Sequence, residues 1–125
     1  MRTTLSEKTN TTPKVVFNHN NNTLSIEGKS ILFEPELFWS LIINQIKKYE
    51  IKTIMVKLNH INTNSILHLI KLINLKQNNV IWFYEESDED LLELGKDLEI
   101  LSNNLFEFVV SDNIELSFTD LKVVV

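Results

Sequence analysis

The sequence contains no cysteine. Disulfides, thiolate metal sites and cysteine nucleophiles are excluded together, and the chain fits a reducing compartment. Glycine is nearly absent too. With only Gly28 and Gly95, the chain has neither a Gly-rich phosphate loop nor a dinucleotide fingerprint, since both need several glycines in close succession. Basic charge in excess is also missing: the net charge of −5 disfavours a nucleic-acid partner, because phosphate neutralisation needs a basic surface. Lys47, Lys48, Lys52 and Lys57 supply at most a local patch. No apolar run approaches the roughly 18 residues of a membrane span. Residues 1–14 are polar and Thr-rich, without the apolar core of a signal peptide. A cytoplasmic protein with no membrane partner is expected.

What the chain does have is enough apolar material for one core. At 125 residues and 43% apolar content, it has the size and make-up of a single folded domain. Residues 1–12 read as a flexible tail ended by Pro13, and residues 13–125 as the domain. Val15-Val16-Phe17 and Leu24-Ser25-Ile26 flank an Asn-rich run, the pattern of a β-hairpin, because Asn tolerates the positive φ of tight turns. Pro35 stands where a helix begins, and Trp39, Ile42, Ile43 and Ile46 follow at helical spacing, to about Tyr49. Thr53 to Leu58 alternates as a strand. Ile66, Leu69, Ile70 and Ile73 define a second helix ending near Asn78-Asn79.

Val80 to Tyr84 is a continuous apolar run, expected of a strand covered on both faces. Ser87 and Asp90 make a capping-box-like pair before a third helix, with Leu91, Leu94, Leu98 and Leu101 as its buried stripe. Leu105 to Val110 is a further strand, and the partly alternating stretch from Ile114 to Val125 is a candidate edge strand. The order β-β-α-β-α-β-α-β implies an α/β fold with one mixed sheet, parallel in its later strands, and right-handed crossovers. This order resembles the STAS domain of the anti-sigma factor antagonists.

Catalytic chemistry is thin. His19, His60 and His68 are scattered, and no two stand at metal-ligand spacing. The acidic segment from Glu85 to Asp90 lacks the alternating oxygen ligands and central glycine of a calcium loop. Acids at a helix start oppose the positive end of its dipole, each worth about 0.3–1 kcal/mol, and that accounts for the segment. An enzyme reading would need His60 to converge with these carboxylates, and nothing in the spacing demands it. No catalytic residue, metal or cofactor is expected.

The junction Asn59-His60-Ile61-Asn62-Thr63-Asn64-Ser65 is different. It lies between a strand and the helix after it, at the end of an α/β sheet where ligands and partners meet the fold. Thr63 and Ser65 fall at or near the helix N-cap, with hydroxyls expected to face solvent. Capping alone explains Asn, Thr and Ser there. A phosphate, however, would gain from the free N–H groups and the helix dipole and add about −1.5 to −2 charges.

Three segments in order carry a family likeness. They are Leu24-Ser25-Ile26-Glu27-Gly28-Lys29-Ser30 followed by Phe38-Trp39; Asn62-Thr63-Asn64-Ser65; and Trp82-x-Tyr84-Glu85-x-x-Asp88-Glu89-Asp90 with Glu93-x-Gly95. Over residues 12 to 110 the chain resembles the SiaC family of bacterial regulatory phosphoproteins. The resemblance implies a partner-switching module. A kinase with an anti-sigma-factor-like ATPase fold phosphorylates the Thr of the family's Asn-Thr-Ser-Ser motif, and a metal-dependent serine/threonine phosphatase reverses it. The unphosphorylated protein activates a diguanylate cyclase, tying the switch to cyclic di-GMP and biofilm regulation. Carried over, the acceptor is Thr63, with His60, Asn62, Asn64 and Ser65 as partner contacts, and ATP and Mg²⁺ belong to the kinase. Two departures stand out: Asn64 replaces the motif's first Ser, and Leu32-Phe33-Glu34 replaces a usual Pro-Glu-Asn. A constitutive scaffold of the same fold, never phosphorylated, is the alternative.

Overall fold

The structure is a computed structural model that describes residues 1–75, 78–102 and 104–111. Six strands and three helices follow one another as β1 (Arg2–Ser6), β2 (Lys14–Asn18), β3 (Thr23–Ser30), α1 (Pro35–Ile46), β4 (Thr53–Ile61), α2 (Thr63–Ile73), β5 (Asn79–Tyr84), α3 (Glu89–Ser102) and β6 (Leu105–Val110). They form one sheet in the order β1-β2-β3-β4-β5-β6. Strands β1 to β3 are antiparallel, whereas β3 to β6 run parallel. This is the mixed α/β order expected from the pattern, with one strand added in front.

That strand, β1, comes from the stretch expected to be a flexible tail. It pairs with β2, and Leu5 packs against the core. The turn that follows is held by Thr9, whose Oγ1 accepts the N–H groups of Thr11 and Thr12 at 3.2 and 2.9 Å. An edge strand has water on one side, so its sequence reads as polar, while threonine suits extended backbone. The β2–β3 turn fits the expectation: Asn22 takes φ +56°, and Asn20 N–H donates to Asn18 Oδ1 at 2.9 Å.

One face of the sheet carries the core. Val15, Phe17, Leu24, Ile26, Ile54, Val56, Leu58, Val80 and Trp82 pack with Trp39, Ile42 and Ile46 of α1, Leu69, Leu72 and Ile73 of α2, and Leu91 and Leu98 of α3. All three helices therefore cover the same face. On the other, Phe83 is buried among half-buried Met55, Ile81 and Val109.

Five sequence expectations need correction. Strand β4 continues past Leu58 through His60 and Ile61, because Gly28 pairs with Leu58 and Lys29 with His60, which leaves Asn59 as an extra residue. Gly28 has φ +111° at this bulge, a region where only glycine is unstrained. Helix α1 stops at Ile46 rather than Tyr49, and α2 at Ile73, whose successor Asn74 donates its N–H to Ile70 O. Asp88, not Ser87, caps α3: its Oδ1 accepts the Leu91 N–H at 3.0 Å. The buried side of α3 ends on Ser102, with Gly95 within it, while Leu101 is 63% exposed. The stretch from Ile114 to Val125, read as a candidate edge strand, lies outside the described residues.

Candidate functional site

Only Asn62 separates β4 from α2. Its backbone is extended, φ −82° and ψ 158°, as an N-cap residue should be. Its side chain, however, does not cap the helix. The Asn62 Nδ2 donates to Leu32 O at 3.0 Å, and its Oδ1 accepts the Ser65 hydroxyl at 2.5 Å. The Asn62 N–H donates to Ser30 O at 3.0 Å. These bonds tie the loop between β3 and α1 to the first turn of α2. They also leave that turn's leading N–H groups without a side-chain acceptor, a ready place for an anion.

Thr63 is the first residue of α2 and is exposed, as are Asn64 and His60. Ser65 is fully buried. The expectation that its hydroxyl faces solvent is corrected: Ser65 supports Asn62 from beneath rather than presenting a contact. His60 sits at the end of β4 beside Lys29, so the structure brings His60, Asn62, Thr63 and Asn64 to one end of the sheet. Among the described residues no group of three or more His, Asp or Glu side chains could hold a metal ion.

Beside Thr63 lies an open groove of about 520 Å³, lined by Phe33, Glu34, Pro35, Glu36, Leu37, Asn64, Leu67 and His68. Sequence reasoning did not find it. The available signal was the apolar Ile31-Leu32-Phe33 between β3 and Pro35, and the leucines lying off the buried stripes of α1 and α2. The acidic segment from Glu85 to Asp90 follows β5, which runs parallel beside β4, so it opens at the same end of the sheet, with Asp88 engaged as a cap. Trp82 lies in the sheet core as expected, 1% exposed, with its Nε1–H donating to Leu91 O at 3.0 Å.

The chain is a mixed α/β domain, a six-stranded sheet with three helices on one face and a surface threonine opening the second helix. A family model described as SiaC family regulatory phosphoprotein matches residues 6–111. The chain belongs to the SiaC family. No curated protein sequence matches it. Among solved structures it is similar to a chain in the crystal structure of the diguanylate cyclase SiaD in complex with its activator SiaC from Pseudomonas aeruginosa, at 17% identity and a TM-score of 0.75, covering 83% of this chain and 96% of that one. Apo-SiaC from the same organism gives 16% identity and a TM-score of 0.73, over 86% of this chain and 99% of that one. A further SiaC structure from that organism gives 18% identity and a TM-score of 0.66, over 87% and 98%. At these identities the likeness establishes the fold. No helix among the described residues is long and apolar enough to cross a membrane.

Proposed function

We propose that this chain is a non-catalytic cytoplasmic switch that binds a partner protein and is controlled by phosphorylation of Thr63. A kinase with an anti-sigma-factor-like fold adds the phosphate and a metal-dependent serine/threonine phosphatase removes it. The unphosphorylated form engages and activates its partner, with a diguanylate cyclase as the leading candidate. Support for that partner class comes from the family and from SiaC, which occurs in complex with a diguanylate cyclase.

One observation carries the reading: Thr63 is exposed at the first position of a helix whose N-cap side chain is turned away from the backbone. A kinase can reach this hydroxyl. The phosphate it adds meets uncapped N–H groups and the positive end of the dipole. It also places about two negative charges beside the groove, where they oppose any acidic group of a docked partner.

The test is binding of the purified chain to a candidate cyclase by calorimetry. Thr63→Ala should bind as the natural chain does, and Thr63→Asp should bind at least about tenfold more weakly, a difference of about 1.4 kcal/mol. Equal binding by both variants would favour the constitutive scaffold.

A further inference from the structure

The two ends of the sheet differ in charge. Strands β3 to β6 run parallel, so their first residues share one end and their last residues share the end that carries Thr63. At the first end, the connection from α1 to β4 exposes Lys47, Lys48 and Lys52, with Glu50 as its single acid. At the other, Glu86, Glu89 and Asp90 are exposed after β5. The net charge of −5 averages the two, which is why composition alone points to no membrane partner.

Exposed leucines accompany the lysines. Leu75, which follows α2, is 36% exposed; Leu101, in the last turn of α3, is 63% exposed, and Leu105, which opens β6, 79%. Isolated apolar residues on a surface need no explanation, but these come together. Ile73 O, at the end of α2, accepts the Asn78 Nδ2 at 3.2 Å and the Asn104 Nδ2 at 3.1 Å. The starts of β5 and β6 are thereby tied to one helix end. Lys47, Leu75 and Asn78 all line one cavity of about 60 Å³, and Lys52 O accepts the Asn79 N–H at 3.0 Å. The lysine connection and the leucines are neighbours.

We propose that this end of the sheet docks on an anionic membrane surface. The leucines enter the boundary between headgroups and acyl chains, and the lysines meet the lipid phosphates. Lysines alone suit any anion; leucines standing in water beside them suit an apolar layer beneath a charged one. Lysine stems also lie along apolar surface while their amines stay in water. The acidic end does not oppose docking. Strand β4 has nine residues and is about 30 Å long, several times the screening length of roughly 10 Å in 0.1 M salt. Docked this way, the sheet stands off the bilayer and Thr63 faces the aqueous side, open to a kinase and a partner.

The experiment is co-sedimentation of the full unphosphorylated chain with vesicles of phosphatidylcholine, alone or mixed equally with phosphatidylglycerol, in about 0.1 M salt. The chain should partition onto the anionic vesicles at least about tenfold more strongly than onto the neutral ones, and lose that preference in about 1 M salt. Lys48→Glu with Lys52→Glu should weaken partitioning about tenfold, and Leu101→Ser with Leu105→Ser about fivefold. Phe33→Ser, at the other end of the sheet, should leave it unchanged. Because the chain has no cysteine, Leu105→Cys can carry an environment-sensitive fluorophore, whose emission should shift to the blue on anionic vesicles; the same label on Phe33→Cys should not shift. Equal partitioning onto both vesicles, or none, would overturn the proposal. So would a loss in the lysine pair with none in the leucine pair, the result expected of a site for an acidic protein. Thr63 stays unmodified throughout, so a failure here leaves the phosphorylation reading standing.

Discussion

At Gly95 the packing leaves no room for a side chain. A Cβ placed there would stand 2.6 Å from Trp82 Nε1 and 2.7 Å from its Cδ1, well inside contact distance, and the indole is pinned by its bond to Leu91 O. Alanine favours a helix over glycine by about 1 kcal/mol, yet overpacking a tight core costs about 1–3 kcal/mol. Gly95→Ala should therefore lower the urea midpoint, with a changed tryptophan emission; a raised midpoint would show that α3 can lift off the sheet freely. Asn62 is a second such position. Replacing it by Ala strips partners from Leu32 O and from the buried Ser65 hydroxyl. A loss of about 1–3 kcal/mol should appear in denaturant unfolding, with faster hydrogen exchange in the first turn of α2.

Among the elements, those with a clear period were legible and those set by local chemistry were not. The stripes of α1 and α2 and the strand at β6 follow directly from spacing. Strand β1 was not legible, because Arg2-Thr3-Thr4-Leu5-Ser6 has one apolar residue and its partner strand supplies the order. The extension of β4 depends on a bulge at Gly28 that no periodicity encodes. For α3, neighbouring Ser87 and Asp88 are both good caps, and only the geometry of the turn selects Asp88. Asp88→Ala should cost about 1 kcal/mol in thermal or denaturant unfolding, whereas Ser87→Ala should cost little. The reverse ranking would restore the capping box read from sequence.

For the molecule as a whole, sequence placed Thr63 at an exposed helix start but not the surface around it. Its position was legible because a polar junction between a strand and a helix marks the end of the sheet, while its reading as phospho-acceptor came from the family resemblance. The groove was not, since Phe33, Leu37 and Leu67 come from three segments, and no one-dimensional pattern tells which off-stripe leucines converge. Ser65 was misjudged for a related reason: two hydroxyls two residues apart look alike in sequence, yet the helix turns one outward and buries the other. The most direct measurement is site mapping by tandem mass spectrometry after incubation with the cognate kinase and ATP. The account predicts one phosphate, on Thr63, and none in Thr63→Ala. Phosphate on Ser65 or at a distant residue, with Thr63 unmodified, would contradict it.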